Sequence, residues 1–146
     1  WTWWFDNGTR MLEGRFEADR EVGVWRGWFR DGTPSFEGDY VAGEPEGTWR
    51  TWHRSGALLS EGAWQAGRRE GVWRFLRPDG SVAEQGAYDD EGREHGTWTS
   101  AYPGGARRGE GAYDRGLRTG TWTWWREDGA VWRTTGYEAG REVRSR

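Results

Sequence analysis

Residues 47–70 read Gly47-Thr-Trp-Arg-Thr-Trp-His-Arg-Ser-Gly-Ala-Leu-Leu-Ser-Glu-Gly-Ala-Trp-Gln-Ala-Gly-Arg-Arg-Glu70, and Gly71 starts the pattern again. With Gly47 as position 0 of a unit, position 2 is Trp1, Trp25, Trp49, Trp73, Trp98 and Trp122. Position 9 is Gly8, Gly32, Gly56, Gly80, Gly105 and Gly129, and position 17 is always aromatic: Phe16, Tyr40, Trp64, Tyr88, Tyr113 and Tyr137. Units start at Gly23, Gly47, Gly71, Gly96 and Gly120, a period of 24 residues with one copy of 25. A fixed period of this length marks a solenoid or array, and it outranks any reading of single residues. The whole chain, 1–146, is therefore one repeat array with copies 1–22, 23–46, 47–70, 71–95, 96–119 and 120–146. It opens at Trp1, already position 2 of a unit, which reads as a piece of something longer.

The local residues predict strands. Asn7-Gly8, Asp31-Gly32, Ser55-Gly56, Asp79-Gly80, Gly104-Gly105 and Asp128-Gly129 separate aromatic, strand-like segments. Such dipeptides are the strongest short-range signal for a hairpin, because a tight primed turn needs positive φ at both central residues. A second turn, at Ala18-Asp19, Ala42-Gly43, Ala66-Gly67, Glu91-Gly92, Arg115-Gly116 and Ala139-Gly140, joins each hairpin to the next. The expected fold is all-β: six tandem hairpins in one elongated, twisted antiparallel meander. Roughly twelve strands would span ~55 Å at ~4.8 Å per strand.

A two-residue turn at positions 8 and 9 pairs positions that sum to 17. Position 2 Trp then faces position 15, which is Gly14, Gly38, Gly62, Gly86 and Gly111. A ring over a cross-strand glycine is the aromatic-rescue arrangement. The same register sets Arg26 against Glu37, Arg50 against Glu61 and Arg74 against Gln85, and Trp132 against Trp125. Cross-strand pairs of opposite charge contribute about 0.2–1 kcal/mol each. Pro78 and Pro103 also suit a three-residue type I turn with a bulge, and a one-residue slip would exchange the faces.

Composition bounds the chemistry. Hydrophobic residues make up only 34% of the chain, yet 14 residues are Trp and 25 are Gly, so aromatic rings on glycine-thinned backbone must supply the burial. A net charge of -3, with both signs mixed throughout, argues against nucleic acid and against electrostatic attraction to anionic lipid. There is no Cys for a disulfide framework or a thiolate metal site, and there is no Lys. No apolar run approaches membrane-spanning length and no signal peptide is present, which leans the reading towards the cytoplasm.

Read from Gly62, a unit runs Gly62-x-Trp64-x-x-Gly67-x-x-x-Gly71-x-Trp73, followed by the Pro78-Asp79-Gly80 turn. This resembles the MORN repeat, in particular the bacterial variant found in YwqK-family antitoxin-like proteins. The resemblance covers essentially all of the chain, although Gly-x-Trp stands in place of the usual Gly-x-Gly and Gly136 is shifted by one position. It implies an elongated, twisted sheet of hairpins with aromatic ladders and implies little about activity; a toxin or effector is one partner that such an array could bind. Fold analogy by itself does not carry a function.

The catalytic candidates read as structure. His53 and His95, the two histidines, lie in different copies with no patterned third ligand, and His95 before Gly96 reads as part of a turn. Glu13, Glu37, Glu61 and Glu110 recur at one position, as sheet pairing would require, whereas a general acid/base pair should occur once. Gly104-Gly105 lacks the lysine and the helix of a phosphate loop. No enzyme and no cofactor are expected.

Position 5 is different, holding Trp4, Trp28, Trp52, Leu76, Ala101 and Trp125. A position free to be Trp or Ala is not required by the repeat, and the register turns it away from the Trp ladder. With the row Arg26, Arg50 and Arg74 beside them, Trp4, Trp28, Trp52 and Trp125 have the composition of an interface hot spot. The expected function is a non-enzymatic protein-binding or scaffolding module, its partner a protein or an adjacent domain. The alternative is a glycan-binding module, since Trp-rich repeats with Asp-Gly turns are similar to cell-wall-binding repeats. Binding at a lipid surface is a further alternative that the acidity of the chain disfavours.

Overall fold

A computed structural model describes residues 1–143, all in strands and turns, with no helix among them. The strands are β1 (Thr2–Trp4), β2 (Arg10–Glu17), β3 (Arg20–Trp28), β4 (Pro34–Val41), β5 (Glu44–Trp52), β6 (Leu58–Gln65) and β7 (Arg68–Leu76). They continue as β8 (Val82–Tyr88), β9 (Glu94–Ala101), β10 (Arg107–Asp114), β11 (Leu117–Trp125), β12 (Val131–Glu138) and β13 (Arg141–Val143). All thirteen form one open antiparallel sheet in chain order. The predicted meander is thus the observed architecture, with one short strand more than expected.

The two turns differ from each other for a chemical reason. Inside each unit the turn is not the two-residue form on which the expected register rests but the longer type I form that Pro78 and Pro103 also suit. In copy three, the His53 N–H donates to the Ala57 carbonyl at 2.8 Å and the Gly56 N–H to the His53 carbonyl at 2.9 Å. Gly56 takes φ 93° while Ser55 stays outside the left-handed region, which is a type I turn closed by a glycine bulge. The Asp that precedes the glycine acts as an acceptor: Asp79 Oδ1 receives the Ser81 N–H at 2.8 Å, and Asp31 Oδ1 the Thr33 N–H at 2.9 Å. Side-chain hydrogen bonds from Ser81 and Thr33 hold these two carboxyls below their ordinary value. Asp-Gly therefore serves here as an Asx turn, with Pro78 presetting φ one residue earlier.

The primed turn sits between the units instead. Ala42 and Gly43 take φ 49° and 86°, and Ala66 and Gly67 take 50° and 75°. In the 25-residue copy the extra residue converts this turn to the longer kind, with the Gly92 N–H donating to the Asp89 carbonyl at 3.0 Å. An alanine in the left-handed region carries a steric cost that asparagine largely escapes. Ala66→Asn is expected to stabilise the protein by about 0.5–1 kcal/mol, read as a rise in the denaturant midpoint without a change in m.

The summed register holds at the centre of each hairpin: Trp49 pairs with Gly62, Arg50 with Glu61, Trp25 with Gly38, Arg26 with Glu37 and Arg74 with Gln85. Near the turn a bulge intervenes, so Trp52 pairs with Leu58 and leaves Leu59 over. The same bulge overturns the expected Trp125–Trp132 pair. Trp125 faces Val131, and Trp132 is the extra residue, 59% exposed.

The ring-over-glycine arrangement is present, but it joins different copies from those expected. A Cβ on Gly62 would fall far inside contact distance of the Trp73 indole, and Gly38, Gly86 and Gly111 meet Trp49, Trp98 and Trp122 in the same way. Each ring thus covers the glycine of the preceding copy, not its own hairpin partner. The cause is a second bulge between hairpins, at position 0: Gly71, with φ 66°, lies in a stretch where the register shifts between Glu61–Arg74 and Ala63–Glu70. The Trp73 Nε1–H then donates to the Ala63 carbonyl at 3.0 Å, as Trp98 does to Ala87 and Trp122 to Ala112, each at 3.0 Å. Position 17 rings stand edge-on between these indoles, Tyr40–Trp49 and Tyr113–Trp122 both at 5.1 Å between centroids. The best-buried hydrophobic side chains, Trp25, Trp73, Trp98, Trp122 and Tyr137, all belong to this ladder. The core is one face of one sheet, and its contacts run from copy to copy.

Candidate functional site

The residues proposed from the sequence share the face opposite the ladder, as strand alternation requires, but they are spread along it from β1 (Trp4) to β11 (Trp125). Trp4 is 58% exposed, whereas Trp28, Trp52 and Trp125 are half-buried. Arg10 lies 4.6 Å above the Trp28 ring and Arg107 4.5 Å above Trp125, so two of the four rings are covered by guanidinium groups of this chain. Arg26 pairs with Glu37 at 2.9 Å, while Arg50 and Arg74 both reach Glu61, at 3.4 and 3.0 Å. This face is a row of satisfied ion pairs edged by aromatic side chains.

The histidines take structural places. His53 Nε2 lies 2.8 Å from the Leu76 carbonyl, tying its turn to the next copy as the Tyr102 hydroxyl does by donating to Trp125 at 2.7 Å. His95 is not in a turn: it lies within β9, with Nδ1 3.9 Å from Asp114 Oδ1. Among the described residues no three His, Asp or Glu side chains converge as a metal-ion set.

The ladder face holds the more distinctive geometry. Position 22, opposite the position 17 ring, is Glu21, Pro45, Arg69, Arg118 and Glu142, and in the 25-residue copy the extra residue puts Glu94 in that place. The Arg69 guanidinium lies 5.7, 4.8, 5.6 and 5.6 Å from the ring centres of Trp64, Trp73, Phe75 and Tyr88, and donates to the Tyr88 hydroxyl at 3.2 Å. Arg118 repeats this arrangement with Trp122, Trp124 and Tyr137 at 4.7, 5.8 and 5.4 Å, and donates to the Tyr137 hydroxyl at 3.3 Å. Burial opposes the charge on Arg118, but hydrogen bonds to Tyr113 and Tyr137 outweigh it and raise its pKa above the ordinary value. Arg69 is flanked by rings of its own copy and the next, and Arg118 by three rings of the next copy with the Tyr113 hydroxyl beside it, a partly desolvated cation–π setting.

Between these two cages the pattern changes. Glu94 takes the place of position 22, and position 4 of the next copy, Phe75 or Trp124 beside the arginines, is Ser100. Opposite Ser100 stands Gly109, where a Cβ would meet Ser100 Oγ at 3.0 Å and Trp124 Cδ1 at 3.1 Å. The smallest facing pair in the array thus opens a groove of about 480 Å³, walled by Trp98, Trp122 and Trp124 and entered past Arg108, Arg118 and Glu84. It adjoins a hollow of about 290 Å³ bounded by Glu84, Glu94, Tyr88, Trp98, Tyr113 and Arg69.

The sequence reading passed over this region, although a signal was there. Arginine at position 22 is followed by an aromatic residue at position 4 of the next copy in both cases, Arg69 by Phe75 and Arg118 by Trp124, whereas Glu94 of copy four, between them, is followed by Ser100 of copy five.

No family model matches the chain and no curated protein matches it. Among solved structures it is similar to TarM, at 14% identity and a TM-score of 0.42 over 69% of this chain and 19% of that one. It is also similar to a TarM point mutant from S. aureus in complex with fondaparinux, alpha-GlcNAc-glycerol and UDP. There the identity is 12% and the TM-score 0.44, over 74% of this chain and 21% of the other. The chain thus spans about a fifth of the length of these proteins, and scores this low assign it no function.

Proposed function

We propose that this chain is a non-enzymatic protein-binding module, a MORN-like hairpin array that offers its partner the groove between copies four and six. The observation that carries the reading is the groove itself. It lies on the ladder face, where the paired positions 4 and 13 shrink to Ser100 and Gly109. A catalytic reading has no comparable support. The groove offers aromatic walls and charged rims, which is the composition of an anchor pocket in a protein interface.

Affinity capture with the intact chain tests this, run beside two folded variants. Ser100→Phe puts back the ring that copy four carries at the same position; Trp28→Ala/Trp52→Ala strips the opposite face. The expected result is a stoichiometric protein held by the parent and by the tryptophan variant, and lost with Ser100→Phe. Loss with the tryptophan variant alone would move the interface to the opposite face. A glycan retained in the absence of any protein would replace the reading altogether.

A further inference from the structure

The cages around Arg69 and Arg118 show what this ladder does with a guanidinium, and the Glu94 region is built on the same plan without one of its own. Tyr88, Trp98 and Tyr113 hold the places that Trp64, Trp73 and Tyr88 hold around Arg69. Glu94 stands where the arginine would be, and Glu84 lines the same hollow from the neighbouring strand. Neither carboxylate forms an ion pair among the described residues. The nearby positive groups are engaged elsewhere: Arg69 and Arg118 on their own rings, and Arg108 5.9 Å above Tyr102. The site thus combines aromatic faces with two carboxylates that form no ion pair among the described residues.

We infer that the Glu94 hollow receives an arginine side chain of the partner protein. This rests on the protein-binding reading above and names the group that the partner inserts. Arginine fits better than lysine for two reasons. Its planar guanidinium stacks on aromatic faces, and its forked donors can reach both carboxylates, whereas an ammonium acts as a single point charge. The missing ring at Ser100 and the missing Cβ at Gly109 leave the side from which such a chain would enter open to solvent.

The test uses the whole chain and the capped peptide acetyl-Gly-Arg-Gly-amide, titrated by calorimetry and by the indole N–H resonance of Trp98. Counterparts with citrulline or lysine in place of the arginine serve as comparisons. Saturable binding of the arginine peptide is expected, with citrulline and lysine each weaker by about tenfold or more. Glu94→Gln should lose a similar factor. The decisive variant is Glu94→Arg/Ser100→Phe, which gives copies four and five the cation and the ring that copies three and four have. It should abolish binding while keeping or raising the thermal midpoint, so that loss of binding is not loss of fold.

Equal binding of all three peptides, or undiminished binding to the filled variant, overturns the inference. Absence of peptide binding alongside capture of a protein that Ser100→Phe abolishes would sink the arginine assignment and leave the binding module standing. Absence of both would remove both.

Discussion

Trp73→Ala is expected to destabilise the protein by about 3–5 kcal/mol, the range for deleting a large buried ring. Trp73 is 3% exposed, and its indole covers Gly62, donates to the Ala63 carbonyl at 3.0 Å and forms the nearest wall of the Arg69 cage at 4.8 Å. Truncation leaves a carbonyl without its donor and a guanidinium short of its best ring. All of these contacts cross from copy three to copy four. In an array whose stability is a sum of unit and neighbour terms, a cut in the middle uncouples the two ends. Urea unfolding should therefore change in form as well as midpoint, from one transition to two. Trp1→Ala supplies the contrast: Trp1 is 75% exposed at the end of the ladder, and its loss should cost about 1 kcal/mol or less. Equal losses from the two substitutions would mean that something other than the ladder couples the copies.

Gly62→Ala should destabilise by about 2–3 kcal/mol through overpacking alone. Gly62 does not take positive φ, so the backbone itself would accept an alanine. The added Cβ would instead have to displace the Trp73 ring, and the ring is held in place by its hydrogen bond to Ala63. This makes a clean cycle. In a Trp73→Ala background the same methyl meets no ring, and its cost should fall to about zero, leaving a coupling of about 2 kcal/mol between the two positions. If Gly62→Ala costs the same in both backgrounds, the glycine is needed for some reason other than the ring above it.

These expectations show where the sequence was legible. The repeat period, the all-β meander, the alternating faces and the central register all follow from residues that lie close together in the chain or pair across a single tight turn. Trp49 against Gly62 and Arg50 against Glu61 needed only the parity of two strands. The errors lie where a bulge adds a residue. Leu59 and Trp132 are such residues, and nothing in their chemistry distinguishes a bulge from the straight ladder that the two-residue turn implied. The Asp-Gly turn took the longer form for a related reason. Asp-Gly supports either a primed turn or an Asx turn, and strand twist together with the hydrogen bond to Ser81 or Thr33 selects between them.

The candidate site was less legible still. Position 5 stood out because its residues vary in size, but the structure pairs Arg26, Arg50 and Arg74 with Glu37 and Glu61 and lays Arg10 and Arg107 over Trp28 and Trp125. Whether a charged or aromatic residue is spoken for depends on neighbours one or two strands away.

By itself, then, the sequence determined an array of hairpins with an aromatic ladder on one face, because periodicity and turn chemistry act locally. Only the tertiary structure decided which copy each ring covers, since the bulge at position 0 shifts one hairpin against the next. It also decided where the groove opens. Glu84, Glu94, Ser100 and Gly109 come from three strands, and their meeting beside Trp98 depends on the stacking of copies four to six.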